Sequence, residues 1–140
     1  MTSIARFATL ALTVLALPAF ADGDPDKGER GFNKCKACHS ITADNGDVIV
    51  KGGRVGPNLY GLFGRTAGTV EDYSYSESLV QAGQQGLVWD ETNLVEYAAD
   101  PREFLRTYLD DPKAKSKMAI KVNRGVDDIA AYIASVGPQG

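Results

Sequence analysis

The residues best suited to covalent or metal chemistry lie within one short segment of this 140-residue chain. Both cysteines, Cys35 and Cys38, and the single histidine, His39, occur in the segment Cys-Lys-Ala-Cys-His. Residue types that the rest of the chain lacks are grouped here, which indicates one shared site. Four kinds of chemistry are compatible with two thiols three residues apart and an imidazole directly after them.

Three of these alternatives conflict with the rest of the sequence. A structural zinc site needs four ligands, and no further cysteine or histidine exists to complete it. A thioredoxin-like redox pair expects a parallel-sheet domain, which this sequence lacks. A disulfide between cysteines three residues apart would close such a short loop that it would stabilise the chain little.

The fourth alternative, covalent attachment of haem c, is the one that the spacing favours. Cys-x-x-Cys-His is the sequence signal for this attachment. Two thiols on one helical turn can add to the two vinyl groups along one porphyrin edge, and the adjacent imidazole can then bind the iron. We therefore predict thioether bonds from Cys35 and Cys38 and axial ligation of the iron by His39.

A second axial ligand is predicted by elimination. Met1 lies in a segment that we expect to be removed, so Met118 is the one methionine left in the mature chain. A lone methionine is usually a core filler, but Met118 lies in a polar, lysine-rich loop where core packing is a weaker explanation. Ligation by a thioether favours ferrous iron and raises the reduction potential.

The first 21 residues are predicted to be a secretory signal. Arg6 gives them a basic start, an apolar run follows, and the segment ends in Ala-Phe-Ala, which is typical of a cleavage site. The run is too short and too weakly flanked for a good membrane span. We expect residues 1–21 to be removed and residues 22–140 to form one domain in the periplasm. The alternative is an uncleaved signal that acts as an N-terminal anchor.

The charge of the chain argues against nucleic-acid binding. The formal net charge is −3, whereas nucleic-acid-binding proteins favour a basic surface. Four lysines nevertheless fall close together around Met118. Composition alone leaves two interpretations open, a solvated loop or a surface for an acidic partner. The four are Lys113, Lys115, Lys117 and Lys121.

The remaining sequence predicts a small all-α domain with four to five short helices and long loops. Aspartates with the features of N-caps precede apolar residues at helical spacing, and proline follows two of these aspartates. Residues 42–68 are rich in glycine and have no period, which indicates loops. Three helices are predicted to start at Pro25, Asp90 and Asp100. A further short helix is predicted to end at Gly83, and the last helix is predicted over Val126–Val136. The one possible extended segment is Val48–Val50.

With these residues in place, the chain resembles the class I c-type cytochromes and is most similar to the bacterial cytochrome c2 group. The resemblance covers essentially all of the sequence after the signal and implies the small cytochrome c fold around one covalent haem. It is carried by Trp89 with Tyr97 eight residues later, and by the segments GERGFNKCKACHS, GPNLYGLFGRTAG, DYSYSESL, DDPKAKSKMA and DDIAAYIASV.

The resemblance also implies roles for residues of a haem pocket. The backbone carbonyl of Pro57 would accept a hydrogen bond from the second imidazole nitrogen of His39 and fix the orientation of the ring. Gly28 would let the first helix cross the last helix closely at Tyr132. One further residue, Tyr97, would form a hydrogen bond near the methionine sulfur. The positions expected to hold or neutralise the haem propionates are Arg65, Tyr75, Trp89 and Ser116.

The chain departs from the small mitochondrial members of this family in three places. The segment between His39 and Gly56 is longer, and so is the segment before Met118, as in the larger bacterial members. Ile120 stands where the family usually has a phenylalanine. Any role of that aromatic ring therefore does not transfer to this chain.

The predicted function is electron transfer. With His39 and Met118 on opposite faces of the haem, no coordination position is open to a substrate, so we expect no enzymatic activity. We expect a monomeric periplasmic carrier that quinol:cytochrome c reductase reduces and that a cytochrome c oxidase or a photosynthetic reaction centre oxidises. Lys36 and the four lysines named above would face such acidic partners. The alternative is a haem c gas sensor or a peroxidase-like enzyme with an open iron site.

Overall fold

The structure, a computed structural model, describes residues 23–138. The predicted signal at residues 1–21 therefore lies outside the described residues. Within them, the chain forms five α-helices and one small antiparallel hairpin, and none of the helices is long and apolar enough to cross a bilayer. The helices are α1 Pro25–Gly31, α2 Glu77–Gln84, α3 Glu91–Ala99, α4 Pro101–Leu109 and α5 Val126–Val136.

The helix starts follow from aspartate N-caps. The Asp24 side chain accepts hydrogen bonds from two backbone N–H groups of the first turn of α1. Asp90 forms a reciprocal capping box with Asn93, and Asp100 accepts from the backbone N–H of Glu103. Each cap satisfies N–H groups that have no partner inside the helix. The three predicted starts are therefore confirmed.

The crossing of α1 and α5 organises the fold around the cysteine motif. A Cβ atom on Gly28 would lie 1.9 Å from the backbone oxygen of Asp128, so no larger residue could allow this approach. The rings of Phe32 and Tyr132 pack next to this crossing, with centroids 5.8 Å apart. A 3₁₀ turn, Phe32–Lys34, then carries the chain directly into the motif.

Two local predictions need correction. Gly83 does not end α2, which continues to Gln84. A Cβ atom on Gly83 would lie 1.9 Å from the backbone oxygen of Ala67, so this glycine allows close packing. The chain turns instead at Gly86, where φ is +103°.

The hairpin pairs β1 Ile41–Thr42 with β2 Val48–Val50. The second strand was predicted, but the first is too short to leave a pattern.

Candidate cofactor site

A cavity of about 270 Å³ lies between the long loops and helices α3 and α5. It reaches both cysteines and the histidine of the motif on one side and the loop after α4 on the other. Such a mainly apolar cleft suits a large hydrophobic cofactor. Aliphatic side chains that line it include Leu62, Leu79, Leu94, Ile129 and Ile133.

The motif itself forms a tight turn at the cavity wall. The backbone N–H groups of Cys38 and His39 both donate to the carbonyl of Cys35, over 3.0 and 2.9 Å. This turn brings both thiols and the imidazole to one cavity. The two cysteines are not joined by a disulfide, and burial raises the pKa of the Cys35 thiol. Two free thiols at one cavity are compatible with the predicted attachment of a porphyrin edge.

The ring of His39 is held by the loop opposite the motif. Its Nδ1 lies 2.8 Å from the carbonyl oxygen of Pro57 and donates to it, which leaves Nε2 for a metal. Burial lowers the pKa of His39 below its ordinary value, although the hydrogen bond to Pro57 acts in the opposite direction. The neutral imidazole, which is the form that binds iron, is therefore favoured.

Three glycines allow the loop before Pro57 to pack on the motif. A Cβ atom on Gly52 would lie 1.8 Å from the backbone oxygen of His39, and one on Gly56 would lie 2.3 Å from its ring carbon Cε1. The N–H of Gly53 donates to the carbonyl of Lys36 over 2.9 Å. The family resemblance implied that Gly56 lets this loop approach the haem closely, whereas no role was predicted for Gly52 or Gly53, because glycines in a loop have no periodic pattern.

Met118 lines the same cavity as His39. Its backbone N–H donates to the Ser116 hydroxyl over 3.1 Å, and that hydroxyl lies 3.1 Å from the phenol oxygen of Tyr97. Ser116 itself is not among the residues that line the cavity. Its contacts connect the loop of Met118 to α3, and burial raises the pKa of Tyr97, so the phenol stays protonated.

A partly buried cation lies in the cavity wall. The Arg65 guanidinium donates to the carbonyl oxygens of Asn58 (3.0 Å) and Tyr60. Burial lowers the pKa of Arg65 and raises that of Tyr75, while each of these side chains favours the charged form of the other. Both line the cavity, as does Trp89. A cation there can compensate an anionic group of the cofactor.

The residues of the cavity fit haem c. Two thiols, a neutral imidazole and a thioether surround one apolar space whose wall includes an arginine. In the described part of the chain, no cluster of three or more histidines, cysteines, aspartates or glutamates is placed to hold a bare metal ion. The donor set is therefore that of an iron porphyrin and not of a zinc site.

Known proteins of similar sequence and structure are c-type cytochromes. Cytochrome c-551 of Roseobacter denitrificans is 63% identical over 127 residues, which are 91% of each chain. Cytochrome c2 of Rhodobacter capsulatus is 55% identical over 129 residues, 92% of this chain and 93% of that one. The solved structure of that cytochrome c2 has a TM-score of 0.80 and 54% identity, over 81% of this chain and 98% of the other. No protein-family model matches the chain.

The chain therefore belongs to the bacterial cytochrome c2 family of class I c-type cytochromes. This membership confirms the predicted resemblance and the small helical cytochrome c fold. It also confirms the predicted cofactor, one covalently attached haem c with its iron, and the assignment to electron transport.

Proposed function

We propose that this chain is a soluble periplasmic one-electron carrier with thioether bonds at Cys35 and Cys38 and axial ligation by His39 and Met118. The observation that carries the proposal is the position of Met118 in the wall of the cavity that also contains His39. Haem c supplies a one-electron couple between ferric and ferrous iron. With both axial positions taken by side chains, no position is left for substrate chemistry.

The surrounding residues keep this geometry constant. The carbonyl of Pro57 orients the imidazole of His39 and raises its basicity. We propose that Arg65 compensates the propionate charge, with Tyr75 and Trp89 completing the pocket beside it. Ser116 and Tyr97 instead support the chain before the proposed sulfur ligand. A site that does not rearrange when its charge changes suits rapid electron transfer.

The mouth of the cavity has the character of a transient contact surface. Val55 and Ile120 line the cavity and are 72% and 60% exposed. Lys34 and Lys117 line it as well. Exposed apolar groups beside lysines suit a small, short-lived contact with an acidic partner. We propose quinol:cytochrome c reductase as the donor and a cytochrome c oxidase or a photosynthetic reaction centre as the acceptor. The other proposed docking lysines are Lys36, Lys113, Lys115 and Lys121.

The proposed location depends on removal of residues 1–21. The described chain is packed from its first residues, since a Cβ atom on Gly23 would lie 2.2 Å from the backbone oxygen of Asp127. The N–H of Asp24 donates to the Asp128 carboxylate over 2.8 Å. Gly23 and Asp24, which closely follow the proposed cleavage site, thus pack against α5. N-terminal sequencing of the periplasmic protein should give Asp22 first, whereas an intact Met1 on a membrane-bound protein would support the anchored alternative.

The proposed ligation is tested by absorption spectroscopy with redox titration of the wild-type holoprotein and of Met118→Ala. The ferric wild type should have the absorption band of methionine-ligated haem at the edge of the near infrared. Met118→Ala should lose the band, bind carbon monoxide at neutral pH and have a lower reduction potential. A wild type without the band that binds cyanide or carbon monoxide readily would instead support a gas sensor or a peroxidase-like enzyme.

A further inference from the structure

We propose that Asp100 is a positioning residue for Met118, because its carboxylate holds Lys121 and so fixes the end of the methionine loop against the junction of α3 and α4. This role rests on the proposed ligation of iron by Met118. We call the contact between Asp100 and Lys121 the latch.

The latch lies just after the proposed ligand. Lys121 Nζ donates to Asp100 Oδ2, and the N–H of Val122, the next residue, donates to the carbonyl of Ala98 over 2.7 Å. Residues 119–122 belong to no helix or strand. Two consecutive residues of an otherwise irregular segment are therefore tied to the end of α3.

Asp100 is itself held in place before it meets the lysine. Its Oδ1 accepts from the N–H of Glu103 over 3.1 Å as the N-cap of α4, while its own N–H donates to the carbonyl of Glu96 in α3. One carboxylate oxygen thus caps a helix and the other binds Lys121. An exposed ion pair usually contributes little because two mobile side chains must be ordered, but here one of the two is already fixed.

The ionisation of Asp100 and the solvent exposure of both side chains agree with this role. The hydrogen bond from Lys121 is the main cause that holds the pKa of Asp100 below its ordinary value, and the bond from Glu103 adds to it. The carboxylate is therefore charged at neutral pH. The side chains of Lys121 and Asp100 remain 59% and 38% exposed. The latch is thus open to salt, and we expect it to make a modest contribution.

The same helix also holds the chain on the other side of the ligand. Tyr97 of α3 reaches Ser116, whose hydroxyl accepts from the N–H of Met118. Helix α3 therefore contacts the loop before Met118 through a neutral hydrogen-bond pair and after it through the latch. Loss of the latch should free only the downstream side, so the sulfur should leave the iron more often while the fold persists.

The experiment compares four single variants and the double variant Asp100→Asn/Lys121→Gln of the ferric holoprotein in imidazole titrations, since added imidazole competes with Met118 for the iron. Asp100→Asn keeps a good N-cap but loses the charge, and Lys121→Gln removes the other partner. Lys121→Arg retains the ion pair. Lys113→Gln is the control for charge, because Lys113 lies on the same loop.

Lys121→Gln and Asp100→Asn should each bind imidazole about two- to fivefold more tightly than wild type. The double variant should bind no more tightly than the stronger single one, because both changes remove one contact. Lys121→Arg and Lys113→Gln should bind as wild type does. The latch would be overturned if Lys121→Gln and Lys113→Gln bound imidazole with equal affinity. It would also be overturned if the effects of the two single variants multiplied in the double variant.

Amide hydrogen exchange gives a second measurement that does not depend on iron binding. The Val122 amide should exchange about two- to fivefold faster in Lys121→Gln and Asp100→Asn, and the Ile133 amide of α5 should be unchanged. Equal Val122 exchange in Lys121→Gln and wild type would reject the latch even if the methionine band is present. A wild type that lacks the band would instead reject the ligation by Met118.

Discussion

The histidine of this cytochrome is positioned by backbone atoms that approach it closely. The carbonyl of Pro57 accepts the imidazole proton, and Gly52 and Gly56 bring the same loop against the backbone and the ring of His39. A side chain on this loop would separate the two surfaces. The orientation of the ligand thus depends as much on missing Cβ atoms as on the hydrogen bond.

Gly56→Ala tests this dependence. The new Cβ atom would lie 2.3 Å from Cε1 of His39, so the ring or the loop must move and the bond to Pro57 must lengthen. Overpacking of this kind costs about 1–3 kcal/mol, which denaturant unfolding of the holoprotein should detect. In the matched control, Gly31→Ala, the new methyl group meets only the side chain of Ile129 at 3.1 Å. Equal stability of the two variants would contradict the explanation.

Residue types and spacing were enough to predict the reactive centre, whereas supports such as the Pro57 carbonyl followed only from the family resemblance. Cys35, Cys38 and His39 share one turn, so local sequence contains the information. The Arg65 guanidinium, by contrast, donates to backbone carbonyls of Asn58 and Tyr60. Any residue has such a carbonyl, so no side-chain pattern could indicate these partners.

At the scale of helices, the aspartate caps make the stability of the fold sensitive to acid. The Asp24 carboxylate accepts from the N–H groups of Asp26 and Lys27, and the bond from Lys27 is the main cause that lowers its pKa below the ordinary 3.8. A carboxylate with a lowered pKa stabilises the fold above its unfolded pKa. That contribution is lost as pH falls through the lower, folded value.

Asp24→Asn should therefore reduce the loss of stability in acid. Asparagine caps a helix without titrating, so the unfolding free energy of this variant should fall less between about pH 5 and pH 2 than that of wild type. Denaturant titrations at a series of pH values would measure this difference. Asp26→Asn removes a carboxylate from the same turn but leaves the cap, so it is the control for the change of charge. Parallel profiles for Asp24→Asn and wild type would refute the prediction.

The C-terminus of α4 offers a test of backbone conformation. Asp110, with φ of +50°, is the one non-glycine residue with a positive φ among the described residues. Glycine adopts this left-handed conformation without strain, so Asp110→Gly should raise the unfolding free energy by about 0.5–1 kcal/mol. Asp110→Ala should lower it, and Asp110→Asn separates the effect of charge. Equal unfolding midpoints for the glycine and alanine variants would exclude a conformational cause.

The helices could be predicted better than the contacts between elements. Caps and apolar spacing are local, so the bounds of α5 matched the structure at both ends. Gly83 was misread as a helix end because a glycine needed for close packing looks the same in the sequence as one that ends a helix. The contact of Asp100 with Lys121 joins residues 21 positions apart. Nothing in either neighbourhood identifies the other.

For the molecule as a whole, the cofactor completes the core. The cavity of about 270 Å³ is large for a domain of this size. Aliphatic and aromatic side chains from several elements line it, so a large apolar cofactor would add buried apolar area to the core. Short helices and long glycine-rich loops therefore suffice, because the helices pack on haem as well as on one another.

The distribution of charge over the molecule gives a prediction about its reactions. The full sequence has a net charge of −3, which removal of Arg6 with residues 1–21 would make −4, whereas Lys34 and Lys117 line the mouth of the cavity. An anionic oxidant such as ferricyanide would be repelled by the net charge but attracted by the lysines. If the lysines attract ferricyanide, the rate constant for its oxidation of the ferrous protein should fall about three- to tenfold as salt rises from about 0.01 to 1 M. The reason is that the screening length shrinks from about 30 to 3 Å.

The combined variant Lys34→Gln/Lys117→Gln should weaken this salt dependence in stopped-flow measurements with the ferrous holoprotein, because both lysines line the mouth of the cavity. Lys27→Gln, on α1 and outside the cavity wall, is the matched control and should retain it. If the net charge governed encounter, the wild-type rate would instead rise with salt, because screening would relieve repulsion between like charges. A rate constant that rises or stays constant with salt would thus remove the support for a lysine docking surface. A rate constant that falls with salt in wild type and Lys27→Gln, but not in the double variant, would assign the attraction to the lysines near the haem.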